Sequence, residues 1–209
     1  ITGSAYNRLA NPLEELPMQL RKFTTTACAA ALAALSFGAQ AQISGGSVKI
    51  GVLTDLSGTY SDLAGSGAVL ATKMAIDDFI ANEKPTFKIE MVSADHQNKA
   101  DIASNKAREW IERENVDTVT ELVTTSTALA VMKVAKEKDR VVIMNGPAST
   151  PITNEQCNDV SVHYTYDTYA LANGTGRAVV KQGGKSWFFI TADYAFGHSL
   201  EKDTSDVVK

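Results

Sequence analysis

From position 48 to position 144 the chain alternates short apolar runs with longer stretches in which apolar residues return every three or four positions. Val48, Ile50, Val52 and Leu53 form the first run, which stops at Thr54-Asp55. A loop bearing Ser57, Gly58, Gly65 and Gly67 follows, and Val69, Ala71, Met74, Ala75 and Ile76 then begin a helical stripe over roughly 64–82. Phe87–Ser93 alternates apolar and polar residues and predicts a second strand. Lys99–Glu114 carries Ile102, Ala103, Ala107, Trp110 and Ile111 on one face and predicts a helix that Asn98 or Asp101 can cap. Asp117–Val123 predicts a third strand and Ala128–Lys138 a third helix, with the hydroxyl run Thr124–Thr127 at their junction. Arg140–Met144 is short and apolar, as a strand buried in a parallel sheet should be. Three successive strand–helix passes imply a parallel sheet with right-handed crossovers.

After Met144 the periodicity lapses. Asn145–Asp159 holds Gly146, Pro147, Pro151 and many small polar residues, and predicts a long loop. Ser161–Tyr166 predicts a short extended piece. Asp167 or Thr168 opens a helix through Ala170, Leu171, Ala178 and Val179, which Gly183-Gly184 ends. Ser186–Thr191 predicts a strongly buried strand, Tyr194–Gly197 its carboxyl-end loop, and Ser199–Val208 the start of another helix. This strand and helix would begin a second sheet and leave an uncovered apolar edge.

Composition narrows the function classes. The 209 residues are 44% hydrophobic and 21% charged, the profile of an ordinary globular protein. The net charge is −4 and no lysine or arginine run occurs, which argues against a nucleic-acid partner. Cys28, Cys157, His96, His163 and His198 show no zinc spacing, so no metal site is expected. Gly65-x-Gly67 is followed by Leu70 where a dinucleotide fingerprint needs glycine. Neither a P-loop nor a G-x-S-x-G elbow is present, and no catalytic residue or cofactor is expected.

The first 41 residues change the setting. Residues 1–17 do not read as part of a fold and look like a non-native upstream segment. Residues 18–41 have the order of a secretory signal: Arg21 and Lys22, the apolar run Ala27–Phe37, then Ala39-Gln40-Ala41, which places cleavage between Ala41 and Gln42. The apolar run is too short to span a bilayer. Cys28 would leave with the signal, so Cys157 would be a free thiol or pair with another chain. Residues 1–41 carry three basic and two acidic side chains, which leaves −5 on the exported part.

Candidate chemistry gathers at the carboxyl ends of the strands, where α/β folds bind ligands. Leu56–Gly67, after strand one, is expected to line a site with Ser57, Thr59 and Tyr60. After strand three come Thr124, Thr125 and Ser126, where a helix N-terminus offers free N–H groups and partial positive charge. Such a place suits a carboxylate; simple N-capping is the alternative use of one threonine. Gly146-Pro147-Ala148-Ser149 follows strand four, and Tyr194 with Phe196 follows the 186–191 run. A ligand touched by both sets would lie in a cleft between two lobes.

Six segments in order, VKIGVLTDLSG, SADHQNKAD, VTTSTALAV, NGPASTPIT, YDTYALANGTGRAVV and FFITADYAFG, resemble the periplasmic substrate-binding proteins of branched-chain amino acid type ABC transporters. These form the type I, leucine-binding-like group, and the resemblance covers nearly all of 48–209. It implies an α/β type I periplasmic-binding-protein fold: two Rossmann-like lobes with parallel sheets, here lobe 1 over 42–165 and the incomplete start of lobe 2 over 166–209. The two lobes would close on the solute by hinge motion. Carried over residue by residue, Thr124 and Thr125, with Ser126 beside them, would hold a ligand carboxylate. Pro147 and Ser149 would contribute from the loop after strand four, and Tyr194 from lobe 2. Tyr60 or Leu63 would pack over the ligand, where several family members place a tryptophan. The crossing, and hence the hinge, falls at Tyr164, Tyr166 and Asp167. HQNKAD and YDTYALANG resemble a branch linked to other carboxylates, aromatic acids included. The implied protein is a non-enzymatic, periplasmic monomer that carries a small carboxylate to an inner-membrane ABC permease. The ligand-sensing domain of a receptor or regulator is the alternative, and an exported α/β enzyme a more distant one.

Overall fold

The structure is a computed structural model, and it describes residues 46–209. The segment 1–17, the secretory signal 18–41 with its cleavage site, and Cys28 lie outside the described residues.

Five strands form one parallel sheet in the order β2-β1-β3-β4-β5. They are β1 (Ser47–Thr54), β2 (Lys88–Asp95), β3 (Thr118–Glu121), β4 (Val141–Met144) and β5 (Ser161–His163). Helices α1 (Gly65–Glu83), α2 (Ala100–Arg113) and α3 (Thr125–Lys138) connect the first four. The expected elements up to Met144 are all present, with ends shifted by a few residues. The extended piece after the long loop is the fifth strand of this sheet, with Ser161 opposite Val142.

Side-chain alternation sorts the strands into two faces. Leu53, Val119, Val142 and Met144 face Ala103, Ala107 and Trp110 of α2 and Val131, Met132 and Ala135 of α3, and together they form the buried core. The opposite face, with Ile50, Ile89, Thr120 and Ile143, meets α1 across an apolar cavity of about 590 Å³. Leu70, Met74, Phe79 and Ile80 of α1 remain exposed. The stripe on α1 therefore lies against the sheet without being closed over by it.

Capping departs from expectation. The residue before α2 is Lys99, with no side-chain cap; Asn98 stands in the left-handed region at φ +53 and Asp101 lies in the first turn. Asp167 does cap the next helix, accepting from the Ala170 amide at 2.8 Å. That helix runs as α4 (Thr168–Leu171), a π-helical stretch Ala172–Gly176, and α5 (Arg177–Lys181). Gly183, at φ +95, follows its end. The last helix is α6 (Ala195–Val208).

The expected strand at 186–191 is not formed. Phe188 and Ile190 are 89% and 94% exposed. A strand exists only through its ladder partners, and every strand among the described residues belongs to the first sheet. Cys157 is exposed and unpaired among the described residues.

One glycine in this buried face is a close-packing requirement. A Cβ at Gly51 would stand 2.6 Å from Trp110 Cε3 and 3.2 Å from a Val116 methyl. Gly51→Ala is expected to lower the unfolding free energy by about 1–3 kcal/mol through overpacking. Urea unfolding measures this, and a change smaller than about 0.5 kcal/mol, the level of an ordinary surface substitution, would contradict it.

Candidate functional site

The first loop is held by two carboxylates at the ends of β1 and β2. Asp55, fully buried, accepts from the Gly58 amide at 2.7 Å and the Tyr60 amide at 2.9 Å. Asp95 accepts from the Leu56 amide at 2.9 Å and the Ser57 hydroxyl at 2.5 Å. A Cβ at Gly58 would lie 2.5 Å from Asp55 Oδ1, so the turn needs glycine there. His96 is buried beside them. Its Nδ1 accepts from the Asn98 amide at 3.0 Å, which places the ring proton on Nε2. Burial lowers its pKa, opposed by the Asp55 and Asp95 charges. Ser57 is thus committed to the loop, and Tyr60 and Leu63 are carried towards α6.

The second wall begins with a backbone turn. Glu121 and Leu122 take φ +88 and +58, a left-handed pair without glycine that swings the chain from β3 into α3. Leu122 is fastened by its amide to the Leu53 carbonyl at 3.1 Å. Thr124 precedes α3 without a side-chain cap, and its hydroxyl lies 3.0 Å from that of Thr127. Capping is therefore not what the threonine run does. The Thr125 hydroxyl lies 2.7 Å from Ser149 Oγ, both side chains buried, and joins the loop after β3 to the loop after β4. A Cβ at Gly146 would meet Val123 Cα at 2.7 Å, so the two loops press together only with glycine at this place. His163 Nε2 holds the Pro147 carbonyl at 2.7 Å.

The third wall is the start of α6. Tyr194 stacks on Phe196 with ring centroids 6.2 Å apart. Tyr60 Oη and Tyr194 Oη share a hydrogen bond at 3.1 Å across the space between the walls. That bond, with burial, pushes the Tyr194 phenol up to about 12.

Together the walls enclose a cavity of about 130 Å³. Of the residues expected from sequence, Tyr60, Leu63, Thr124, Thr125, Pro147 and Tyr194 line it. Ser126 does not: successive helical residues turn by about 100°, so Thr125 facing inward turns Ser126 aside. Ser149 stands behind the wall, bonded to Thr125. Tyr164 is exposed, its amide on the Met144 carbonyl at 2.7 Å. Tyr166, expected at the hinge, also lines the cavity, and Asp167 caps α4. Val123, Gly146, Ala148 and Phe196 complete the lining. Val123 carries no polar signal, and only its place beside the threonine run could have pointed to it.

Among the described residues, no Asp, Glu, Lys, Arg or His lines this cavity. The polar groups around it are hydroxyls, backbone groups and the N-terminus of a 14-residue helix. That set favours an anionic group and offers a cation no counter-charge. Tyr60, Tyr166, Tyr194 and Phe196 supply apolar ring surface around it.

Such a fold and cavity define an α/β domain with a small cavity at the carboxyl ends of its parallel strands. Comparison with known proteins agrees. The periplasmic binding protein family profile matches residues 47–209, and the chain belongs to that family. A solved periplasmic binding protein from Burkholderia mallei is 55% identical with a TM-score of 0.72, over 78% of this chain and 43% of that one. A branched chain amino acid ABC transporter periplasmic ligand-binding protein from Burkholderia xenovorans is 32% identical with a TM-score of 0.66, over 77% of this chain and 43% of that one. An ABC transporter solute-binding protein from R. palustris, in complex with 4-hydroxybenzoate, shares the fold at 22% identity and a TM-score of 0.66, over 78% of this chain and 43% of that one. The chain thus spans less than half the length of these relatives. No curated protein matches it.

Glu121, behind the loop, gives the site a measurable signature. It is 4% exposed, its Oε2 has no hydrogen-bond partner, and burial pushes its carboxyl up to about 7, with the nearby Thr54 hydroxyl and Val123 amide pulling the other way. A raised acid holds its proton longer in the folded chain. Stability should therefore fall as pH rises from about 4.5 to about 7 and then level off. Glu121→Gln should remove that slope, on the order of 3 kcal/mol across the window. Unfolding free energies of both proteins at several pH values test this, and parallel pH profiles would contradict it.

Proposed function

We propose that the protein is the extracytoplasmic solute-binding subunit of an ABC importer and captures a small carboxylate. The observation that carries this reading is the cavity at the start of α3, lined by Thr124 and Thr125 together with Tyr60, Tyr166, Tyr194 and Phe196 and by no charged side chain. The solute carboxylate sits at that helix end. Its organic part, aliphatic or aromatic, lies among Tyr60, Tyr194 and Phe196. Family membership supports a binding role rather than catalysis and a location outside the cytoplasm.

On the same reading, residues 18–41 are a signal removed between Ala41 and Gln42, with 1–17 upstream of it. Residues 42–165 form the first lobe and 166–209 begin the second, with Tyr164 to Asp167 at the crossing. The partner is an inner-membrane permease, and the mature protein is a monomer. The organic part of the solute spans the branched-chain amino acid and the aromatic acid named for two of the relatives.

Calorimetric titration with 4-hydroxybenzoate, benzoate, leucine and isovalerate tests the proposal. At least one of these acids should bind. Thr125→Ala should then weaken that acid by roughly ten- to a hundredfold, the worth of a hydrogen bond to a charged group. Tyr194→Ala should also weaken it. Unchanged affinity in both variants, or no heat with any of the acids, would overturn the reading.

A further inference from the structure

A second hydrogen-bonded cluster lies away from the cavity. Asp203, on α6, does not line the cavity. Its Oδ2 accepts from the Thr168 hydroxyl at 2.6 Å and from the Thr150 hydroxyl. The Thr150 amide donates to Thr168 Oγ1 at 3.1 Å. Thr168 is fully buried and opens α4 just past the crossing, and Thr150 directly follows Ser149. One carboxylate oxygen therefore gathers the loop after β4, the segment after the crossing, and the last helix.

These bonds continue others already described. Thr125 bonds Ser149, Ser149 adjoins Thr150, Thr150 and Thr168 bond Asp203, and α6 leads from Asp203 back to Tyr194, which bonds Tyr60. The circuit runs around the cavity from the carboxylate end to the aromatic end. Asp203 lies nine residues beyond Tyr194, about 13 Å along the helix axis. A tilt of a few degrees about that anchor displaces Tyr194 by about 1 Å, enough to take a 3.1 Å contact out of hydrogen-bond range. Behind the anchor α6 rests on the π-helical stretch, where a Cβ at Gly176 would lie 3.2 Å from a Val207 methyl. This contact sets the spacing of the two helices, and the polar cluster adds a directional tie that bears on their angle.

We propose that Asp203 is a positioning residue for the binding site: with Thr150 and Thr168 it fixes the angle of α6 and so holds Tyr194 against Tyr60 across the cavity. This rests on the solute-binding reading for its consequence, though not for its geometry. Asp203 does not line the cavity, so its loss should act on how long a closed site stays closed rather than on how often solute arrives.

The test has two arms. In the ligand-free protein, hydrogen exchange is followed by mass spectrometry in wild type, Asp203→Ala, Asp203→Asn and Thr168→Val. Asp203→Ala and Thr168→Val should speed exchange at least threefold at Tyr194–His198, with α2 unchanged. Asp203→Asn keeps an acceptor oxygen and should stay close to wild type. In the second arm, stopped-flow dissociation of 4-hydroxybenzoate, or of leucine if that acid binds instead, should be roughly tenfold faster in Asp203→Ala, with association within about threefold. Wild-type exchange in both Asp203→Ala and Thr168→Val overturns the positioning role whether or not an acid binds. Faster exchange with wild-type dissociation also overturns it. Should Asp203→Ala not fold, Thr168→Val, which removes a donor to the same oxygen, decides both arms. Absence of binding in wild type would count against the solute-binding reading alone, since the exchange arm is ligand-free.

Discussion

The hydrogen bond between Thr125 and Ser149 is the contact on which the site's shape depends. It is made between two buried hydroxyls at 2.7 Å and closes the gap between the loops after β3 and β4. A buried hydroxyl without a partner is costly, so each holds the other in place. The left-handed pair Glu121-Leu122 delivers Thr125 to this meeting, and Gly146 lets the opposite loop come close enough. What remains is the free N-terminus of α3, aimed into a cavity with no fixed charge. An anion held there is stabilised by dipoles already in place, without the desolvation of a buried cationic partner.

The sheet is used unequally. Its buried face, packed against α2 and α3, fixes β1, β3 and β4 and therefore the loops at their carboxyl ends. Its other face is spanned loosely by α1 across an apolar cavity of about 590 Å³. The first loop does not depend on that face. Asp55 and Asp95 tie it to the ends of β1 and β2, and Tyr60 reaches α6 from a position set by hydrogen bonds.

The first four strands and three helices were legible in the sequence because each signal was local. Apolar runs stopped at turn residues, and helical stripes began where the runs ended. That the threonine run faces a cavity was legible because a helix needs only one cap. The 186–191 segment misled because its apolar run speaks for burial, while a strand also requires partners that no residue pattern supplies by itself. The family resemblance put Tyr166 at the crossing; that its ring also lines the cavity follows only from the path of the backbone. Ser126 was taken with its neighbours as one hydroxyl cluster, and the rotation per helical residue separates it from them. The link from Asp203 to Thr150 and Thr168 spans 53 and 35 positions and has no counterpart in any short motif.

The central claim is that the cavity recognises a carboxylate through helix and hydroxyl dipoles. The most direct measurement compares a bound acid with its own methyl ester by calorimetric titration at neutral pH. The ester keeps the organic part and loses the charge. The account predicts that the acid binds and the ester is weaker by a factor of ten or more, roughly 1.4 kcal/mol. Equal affinity for acid and ester would contradict it, because recognition would then rest on the aromatic walls alone.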